Sequence, residues 1–368
     1  MSAQSPAGRA GEPLEAILLV GGKGTRLRPL TLSAPKPLLP TAGVPFLAHQ
    51  LARAASVGVT RVVLATSYRS QMFADAFGDG AGFGLEIDYV DEEEPLGTGG
   101  GIRNAAARLR SGPDDPIVVL NGDILSGHDL RAQLDLHRKA EAAVTLHLVE
   151  VPDPTAFGCV PTDASGRVTG FLEKTPRPVT NRINAGCYVY TRRAIDGIPP
   201  GRVVSIERET FPELIASGQV MMGYVDNSYW LDVGTPQAFV RGSCDLVLGR
   251  LASPAVPIPG PLLVLPGATV ASGASVSGGT AVGAGATVGD GATVTGSVLF
   301  DGATVGPGAV VTGSIVGQGA TVDGGAVLDG TVIGDGAHIA AGNELRGGAR
   351  VWPGVSLGPV SVRFSTDA

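Results

Sequence analysis

The stretch Ala16-Ile-Leu-Leu-Val-Gly-Gly-Lys-Gly-Thr-Arg-Leu-Arg28 decides the fold of the chain. Its apolar start, followed at once by a glycine-rich loop, is typical of a buried strand that ends in a tight turn. Three glycines let the backbone bring its N–H groups onto an anion, and Lys23, Arg26 and Arg28 add positive charge. The loop lacks the spacing of a Walker A motif and of the dinucleotide fingerprint. It therefore predicts an anion-binding loop of another kind, directly after the first strand of a sheet.

Beyond this loop, short apolar runs alternate with helical patterns. The predicted strands are Ala16–Val20, Arg61–Ser67, Leu85–Val90, Ile117–Asn121 and Ala143–Val151. The predicted helices are Pro45–Val57, Arg69–Phe77, Gly101–Arg110 and Asp129–Ala140. This alternation predicts an α/β domain with a Rossmann-like, mostly parallel sheet flanked by helices. Because ligands of such sheets bind beyond the carboxyl ends of the strands, motifs that follow strands are the candidate site residues.

The last third of the chain carries a repeat. From Val264 an apolar residue returns every six positions, and the step drops to five at Leu299, Val316 and Ile333. Three six-residue faces, one of them shortened, make one coil of a triangular parallel β-helix whose corners suit glycine and small residues. An amphipathic α-helix would need apolar spacings of three and four, which this segment lacks. The repeat therefore predicts a parallel β-helix.

Composition divides the chain at the same place. The sequence has 55 glycines, of which 26 follow residue 251, and it has no Lys or Arg from Leu251 to Leu345. We expect a disordered tail at residues 1–12, a catalytic domain at 13–251 and a β-helix domain at 252–368.

Charge and cysteine content exclude several classes of partner and location. The net charge of -7 argues against a nucleic-acid partner and an anionic membrane. The apolar run before the glycine loop is too short for a signal peptide or a membrane span. Cys159, Cys187 and Cys244 are odd in number and lack metal-ligand spacing. They predict buried thiols in a reducing compartment, and hence a cytoplasmic protein.

Further motifs follow the glycine loop in order. They are Ala34-Pro-Lys-Pro-Leu38, Glu93-Glu-Pro-Leu-Gly-Thr-Gly99, Asn121-Gly-Asp123, Phe171-Leu-Glu-Lys174, Ile183-Asn-Ala-Gly186, Ser205-Ile-Glu-Arg-Glu209, Tyr229-Trp-Leu-Asp-Val-Gly-Thr235 and Ala349-Arg-Val-Trp-Pro-Gly354. Together they resemble the signature of the sugar-1-phosphate nucleotidyltransferases over essentially the whole chain. Within that family the chain most resembles the branch that acts on mannose-1-phosphate and GTP. The resemblance implies that the β-helix is left-handed.

The resemblance also implies the reaction and the nucleotide ligands. A sugar-1-phosphate oxygen attacks the α-phosphorus of GTP in line, and pyrophosphate leaves. Two polyanions must meet, so the reaction requires cations and backbone donors more than an acid–base pair. The implied nucleotide ligands are Leu19, Gly21, Gly22, Gly24, Thr25, Arg26, Lys36, Glu94, Pro95, Gly97, Thr98, Gly122 and Asp123. By resemblance, Arg26 neutralises the departing pyrophosphate and Lys36 lies near the α-phosphate.

A magnesium ion is implied in the same way. In the family, the aspartates that match Asp123 and Asp232 share one Mg²⁺, an ion that suits carboxylates and phosphate oxygens. These two residues are 109 positions apart (232 − 123), so the resemblance and not the spacing predicts that they converge. An isolated aspartate after a strand is otherwise typical of a turn or a helix cap.

The implied sugar-phosphate ligands are Gly158, Glu173, Lys174 and Asn184. The carboxylate of Glu173 would bind sugar hydroxyls and Lys174 would bind the phosphate, which adds Lys174 to the catalytic set of Arg26, Lys36, Asp123 and Asp232. Adjacent residues of a strand point to opposite faces, so the pair predicts a bulge or a loop. A solvated ion pair is the alternative for Glu173 and Lys174.

Base selection is assigned to the acidic run Asp91-Glu-Glu-Glu94. Guanine presents two adjacent donors that one carboxylate can accept, so Glu94 or a neighbour is the candidate for recognising the base. A solvated acidic loop is the alternative. The glycines of Gly97–Gly101 are expected in a loop whose N–H groups approach the ligand.

Three alternatives remain open. The chain could transfer a uridylyl or thymidylyl group to glucose-1-phosphate, or it could be a non-catalytic homologue that binds a nucleotide sugar. A second, acetyltransferase activity in the β-helix is disfavoured because its only histidine is His338 and because Lys and Arg are absent between Leu251 and Leu345. We expect instead a spacer that ends in a homo-oligomer contact, since the last coils have edges that need covering.

Overall fold

The computed structural model describes residues 13–66, 69–92, 94–174, 176–256 and 259–363. The predicted tail at residues 1–12, Ser67 at the end of a predicted strand, and Glu93 of the acidic run lie outside these ranges. The described chain forms two compact units. The first comprises the residues up to Gly21, then Ala54–Asn121 and Asp129–Asp226; the second comprises Gly22–Arg53, Gly122–His128 and the chain from Asn227 onward. These units are not the two predicted domains, and the division into a catalytic domain and a β-helix domain at residue 251 stays a prediction.

Strands and helices are numbered along the chain. The strands before the repeat are β1 (Leu14–Leu19), β2 (Pro40–Thr41), β3 (Val44–Pro45), β4 (Val59–Thr66), β5 (Glu86–Asp91), β6 (Pro116–Asn121), β7 (Ile124–Ser126), β8 (Val144–Glu150), β9 (Arg182–Thr191), β10 (Met221–Val225) and β11 (Trp230–Asp232). The α-helices are α1 (Leu30–Ser33), α2 (Phe46–Ser56), α3 (Ser70–Phe77), α4 (Gly97–Ala106), α5 (Leu130–Lys139), α6 (Arg192–Asp196), α7 (Phe211–Ala216) and α8 (Pro236–Val247). Short 3-10 turns lie at Thr25–Leu27, Lys36–Leu38 and Ala81–Phe83, and a π-helical turn lies at Ile206–Thr210.

The first unit is built on a seven-stranded sheet with the order β10-β8-β9-β6-β1-β4-β5. Strand β9 runs antiparallel to both of its neighbours, and the other pairs in the sheet are parallel. Fully buried side chains such as Ile17, Val119 and Tyr188 form its core. The prediction of a Rossmann-like, mostly parallel sheet with flanking helices is therefore confirmed.

The first unit differs from the prediction in one helix start and in the elements β9, β10, α6 and α7, which were not predicted. Helix α4 begins at Gly97, four residues before the predicted start, because the glycine run packs closely instead of forming a loop. Strand β9 was not predicted, although it is ten residues long and lies in the middle of the sheet. Arg182 and Asn184 interrupt the first half of the strand, and the apolar run Ala185–Tyr190 that follows contains Gly186, a residue type depleted in strands.

Two helix starts, those of α5 and α8, are capped by side chains. The side chain of Asp129 accepts the N–H groups of Arg131 and Ala132 at the start of α5. Thr235 accepts the N–H of Ala238 at the start of α8, where Pro236 occupies a position that needs no N–H donor. No helix in the described ranges has both the length and the apolar character of a membrane span.

The second unit contains the β-helix, whose strands are short and regular. They are β12 (Leu262–Val264), β13 (Thr269–Val270), β14 (Ser275–Ser277), β15 (Thr280–Val282), β16 (Thr287–Val288), β17 (Thr293–Thr295), β18 (Val298–Leu299), β19 (Thr304–Val305), β20 (Val310–Thr312), β21 (Ile315–Val316), β22 (Thr321–Val322), β23 (Val327–Asp329), β24 (Val332–Ile333), β25 (His338–Ile339), β26 (Glu344–Leu345), β27 (Arg350–Val351) and β28 (Ser356–Leu357). Every third strand joins the same parallel sheet, which gives three faces.

The counted repeat matches these faces. Val282 pairs with Leu299 and Leu299 with Val316, one coil apart, and all three side chains are buried. The predicted left-handed parallel β-helix is confirmed at the level of its strands and sheets. Val264, the first residue of the repeat, is instead 42% exposed, because no coil precedes it to cover the open end.

Candidate active site

The glycine loop folds into a fixed turn of the second unit. Gly24 has a φ of 58° and precedes the 3-10 turn Thr25–Leu27, and its carbonyl accepts the hydroxyl of Thr31 at 2.9 Å. A Cβ at Gly24 would lie 3.2 Å from the Cβ of Lys36, so only glycine allows this approach without strain. The loop is thus held against the stem of Lys36.

Lys36 is buried but paired. Its Nζ lies 3.2 Å from Oδ2 of Asp123, and the two side chains are 9% and 42% exposed. Burial lowers the pKa of Lys36, and the carboxylates of Asp123 and Asp232 oppose this effect. The ammonium group is therefore held in one place by charge, as phosphate binding requires.

The structure brings the two predicted metal ligands together. Strands β7 and β11 form an antiparallel ladder in which Asp232 pairs with Ile124, next to Asp123. The carbonyl of Asp123 also accepts the N–H of Val233 at 3.0 Å. A two-stranded ribbon thus makes neighbours of residues 109 positions apart (232 − 123).

The donor set at these aspartates fits a divalent cation. Oδ1 of Asp232 is buried and, among the residues that the structure describes, has no hydrogen-bond partner. Burial raises the pKa of Asp232, and the negative charge of Asp123 adds to the effect. Within the described ranges, no three His, Cys, Asp or Glu residues cluster into a metal site. Two carboxylates and open positions for phosphate oxygens and water are the arrangement that Mg²⁺ prefers.

Arg26 lies beside this pair because of a glycine that the sequence analysis did not single out. A Cβ at Gly234 would lie 2.7 Å from Nη2 of Arg26 and 3.1 Å from Oδ1 of Asp232. Gly234 therefore leaves the space in which the guanidinium and the carboxylate approach each other. Gly234 belongs to the motif Tyr229–Thr235 and lies two residues after Asp232. Its role becomes visible only from its closeness to Arg26 in the structure.

The remaining predicted residues around the loop are placed as follows. Leu19 ends β1 and pairs with Ala65 and Asn121. Gly22 and Thr25 are exposed, and Gly122 is buried directly after β6. These positions at the carboxyl ends of central strands agree with the expectation for ligand residues in such sheets.

In the first unit, three predicted sugar-phosphate residues converge. A Cβ at Gly158 would lie 3.0 Å from Oε2 of Glu173, so the glycine makes room for that carboxylate. The carbonyl of Gly158 accepts the N–H of Asn184 at 3.1 Å. Asn184 in turn donates from Nδ2 to the hydroxyl of Tyr188 at 2.8 Å. Glu173 and Asn184 are thus both positioned around Gly158.

Lys174 stands apart from these three. It is exposed, and its φ of 33° is rare for a residue with a side chain. Glu173 and Lys174 follow Leu172, an isolated bridge residue, and lie outside regular strands. The expected bulge or loop at this pair is what the structure contains.

The second glycine-rich segment differs from its prediction. Gly97–Gly101 is the first turn of α4, and the N–H groups of Gly99 and Gly100 donate to the carbonyl of Val204. A Cβ at Gly100 would lie 2.5 Å from the carbonyl oxygen of Arg202. The expected loop is therefore wrong, because these glycines begin a helix and their lack of a side chain allows close packing; their approach to a ligand stays a prediction.

Thr98 and Glu207 form a bonded pair in this segment. The hydroxyl of Thr98 donates to Oε2 of Glu207 at 3.0 Å and accepts the N–H of Ile206 at 3.0 Å. Oε2 of Glu207 also accepts the hydroxyl of Ser205 at 2.8 Å. The sequence analysis quoted the motif that contains Glu207 without giving it a role. A carboxylate two residues after a serine, at the start of a helical turn, was the available signal.

The acidic run is divided by the fold. Asp91 accepts the hydroxyls of Thr66 and Ser70, and Glu92 accepts the N–H of Leu96 at 3.1 Å. Burial raises the pKa of Glu92. Glu94 is exposed, as is Pro95. Of the described acids in the run, Glu94 is the one that keeps its carboxylate available for a ligand.

Comparison with known proteins places these features in a family. Residues 15–247 match the family model described as nucleotidyl transferase, and residues 258–357 match the model described as GMPPB C-terminal domain. A mannose-1-phosphate guanylyltransferase of Mycobacterium tuberculosis is 56% identical over 356 residues, which cover 96% of this chain and 98% of the relative. Mannose-1-phosphate guanylyltransferase 1 of Arabidopsis thaliana is 38% identical over 68% of this chain and 70% of its own length.

A solved structure has a similar fold. The crystal structure of HddC from Yersinia pseudotuberculosis complexed with GMP-PN is 28% identical, with a TM-score of 0.54, over 62% of this chain and 98% of that chain. The first family model spans the glycine loop, Lys36 and both aspartates, and the Mycobacterium relative matches nearly end to end. For these reasons this chain belongs to the nucleotidyl transferase family.

Proposed function

We propose that the chain transfers the guanylyl group of GTP to mannose-1-phosphate, forming GDP-mannose and pyrophosphate. The observation that carries the proposal is the pairing of Lys36 with Asp123 beside Asp232 and Arg26, which suits nucleotidyl transfer. The choice of guanine and mannose rests on the relatives named mannose-1-phosphate guanylyltransferase, one of which is matched over 98% of its length.

The reaction requires the protein to bind negatively charged phosphate groups, and it requires no proton transfer. A non-bridging oxygen of the sugar phosphate attacks the α-phosphorus, the bond from that phosphorus to the β-phosphate oxygen breaks, and pyrophosphate leaves with the electron pair. Arg26, whose guanidinium can bind two oxygens, would hold the departing pyrophosphate. Lys36 would act as a point charge at the α-phosphate. Because its side chain is already buried and paired, substrate binding would cost little side-chain entropy there.

Asp123 and Asp232 would hold Mg²⁺, which fits the unpartnered, buried oxygen of Asp232. When bound, the ion would neutralise phosphate charge during transfer. In the first unit, the carboxylate of Glu173 would accept hydrogen bonds from sugar hydroxyls, and the amide of Asn184 would donate to them, around Gly158. Lys174 would bind the sugar phosphate.

A matrix of substrates tests the proposal. Purified full-length chain with MgCl₂ is given GTP, UTP, dTTP or ATP together with mannose-1-phosphate or glucose-1-phosphate, and released pyrophosphate is measured. We expect the highest kcat/KM for GTP with mannose-1-phosphate. A preference for UTP or dTTP with glucose-1-phosphate would replace the proposal by the pyrimidine alternative. Binding of GDP-mannose without release from any pair would indicate a regulatory homologue.

We further propose that residues 13–251 are the catalytic domain and that the β-helix of residues 252–368 mediates a homo-oligomer contact. Trp352, Val355 and Val360, near the end of the β-helix, are 46%, 40% and 53% exposed, which supports an interface there. Light scattering of the full-length chain would show a mass above 37.1 kDa, and a monomer would contradict this proposal.

A further inference from the structure

One outward column of the β-helix is apolar where the next one is polar. Residues in register on β12, β15, β18, β21, β24 and β27 are Leu263, Ala281, Val298, Ile315, Val332 and Arg350. The corresponding column on the neighbouring sheet is Thr269, Thr287, Thr304, Thr321, His338 and Ser356. Side chains that alternate with the inward valines should face solvent, so an apolar column indicates a covered surface.

Helix α8 packs on that column, together with the segment that follows the glycine loop. Four of its members, from Ala281 to Val332, are at most 2% exposed. They share one hydrophobic cluster with Phe239 and Val247 of α8 and with Leu27 and Leu30, which lie on either side of Arg28. The turn that contains Leu27 therefore packs in the same hydrophobic cluster as one face of the β-helix.

Arg350 ends the column with a charge instead of an apolar side chain. Its Nη1 donates to the carbonyl oxygen of Arg26 at 2.9 Å and to that of Arg28 at 2.7 Å. Arg28 is the C-terminal cap of the 3-10 turn that carries Arg26. A cation is favourable at the carbonyl end of a helical turn, and one nitrogen bound to two carbonyls restricts how that turn can rotate.

We propose that Arg350 is a positioning residue for the nucleotide: it holds the turn from Thr25 to Arg28 so that the Arg26 guanidinium stays beside Asp232. The proposal rests on the proposed function, in which Arg26 binds the phosphates that become pyrophosphate. It also assigns the β-helix a part in nucleotide binding, in addition to its expected role as a spacer. Because the contact is to backbone carbonyls, the arginine acts on the shape of the loop.

The test compares Arg350→Ala, Arg350→Lys and Arg363→Ala in the full-length chain. Arg363 is a matched control, since it is an exposed arginine near the end of the β-helix that pairs with Glu344. We expect Arg350→Ala to raise the KM for GTP about tenfold and to leave the KM for mannose-1-phosphate unchanged. Arg350→Lys should recover most of the affinity because an ammonium group can donate to both carbonyls. Arg363→Ala should match the wild type.

Two further readouts separate the possible failures. The melting temperature and the Kd for GTP, measured by calorimetry without the sugar phosphate, are recorded for every variant. An unchanged KM and Kd for GTP in Arg350→Ala would overturn the proposal. So would a loss of kcat alone with a lowered melting temperature and no rescue by lysine, which indicates a merely structural role. If the wild type releases no pyrophosphate from any pair, the proposed function fails, and the Kd comparison still decides the role of Arg350.

Discussion

Two glycine-rich segments of this chain, Gly21–Gly24 and Gly97–Gly101, have similar compositions and different surroundings. Gly22 is exposed, and a Cβ placed on it would meet nothing within 4 Å. Gly99, Gly100 and Gly101 are buried, and a Cβ on Gly100 would press on the carbonyl of Arg202. In the first segment the backbone at Gly22 is open to solvent, whereas the second segment lets a helix begin in close contact with its neighbour.

The two segments also differ in the charged side chains around them: cations lie beside the first, and a carboxylate lies beside the second. Lys36 and Arg26 lie in or beside the first segment, close to two carboxylates that fit a cation. Beside the second, the carboxylate of Glu92 would lie 2.6 Å from a Cβ on Gly101. The comparison teaches that glycine content alone does not predict phosphate binding. An open backbone and a fixed cation are needed together.

The largest effect is expected at the cation of the first segment. Lys36→Ala should lower kcat at least a hundredfold, about 3 kcal/mol in activation free energy, because the charge at the α-phosphate is lost. The fold should remain, since the partner Asp123 is 42% exposed and can be solvated. Steady-state pyrophosphate release measures kcat. Lys139→Ala, at the exposed end of α5, is the control, and near-normal turnover of Lys36→Ala would contradict the assignment.

Alanine at one glycine of each segment gives the next largest difference. Gly100→Ala should reduce the free energy of unfolding by about 2 kcal/mol, because the new Cβ overlaps the carbonyl of Arg202. Gly22→Ala should change it by less than about 0.5 kcal/mol and weaken GTP binding instead. Denaturant unfolding and calorimetry measure the two quantities. Equal losses of stability in both variants would remove the distinction between the segments.

The acidic run next to the second segment contains a matched pair of glutamates. Glu94→Gln should lower the preference for GTP over UTP, as a ratio of kcat/KM values, about tenfold, because an amide no longer accepts both donors of guanine. Glu92→Gln should leave the ratio unchanged, since Glu92 binds the N–H of Leu96. Assays with both nucleotides decide the point. A ratio that is unaltered in Glu94→Gln removes this residue from base recognition.

The smallest effect concerns the pH dependence of stability at Glu92. Burial raises its pKa in the folded chain above the unfolded value, so the folded state binds the proton more readily and gains stability as pH falls through the raised pKa. At pH 7 the buried charge is a cost that Glu92→Gln removes, which should raise the melting temperature by about 2 °C. This advantage should shrink as the pH falls from 7 through the raised pKa of Glu92. An advantage that grows on acidification would show the opposite sign and refute the assignment.

Much of the fold was predictable because its signals are local. Strands β1, β4, β5, β6 and β8, helices α2 to α5 and the six-residue repeat follow from apolar spacing, which sets whether a segment can bury one face as strand, helix or coil. Strand β9 was missed because it mixes polar and apolar residues, and its place between β6 and β8 depends on pairing across the sheet. The helix start at Gly97 was missed because glycine normally indicates a turn.

The candidate site was predictable in its residues and not in its supports. Arg26, Lys36, Asp123 and Asp232 were all named from motifs, and the structure brings them together. Gly234 and Arg350 have no local signal for their roles, since each acts through a contact with a distant segment. The apolar column that ends at Arg350 has a signal in the sequence, because its positions carry apolar residues where the corresponding positions of the neighbouring sheet carry polar ones.

By itself, the sequence determined five of the seven strands of the first unit's sheet, which third is a β-helix, and which cations and carboxylates are available for nucleotidyl transfer. These depend on residue type and short spacing, which the chain carries in any conformation. Only the tertiary structure decided that β7 and β11 make neighbours of Asp123 and Asp232, that the second glycine segment is closed by packing, and that Arg350 reaches a carbonyl 324 positions earlier. Such contacts arise when distant segments pack, because burial and hydrogen bonding then select partners that no local pattern encodes.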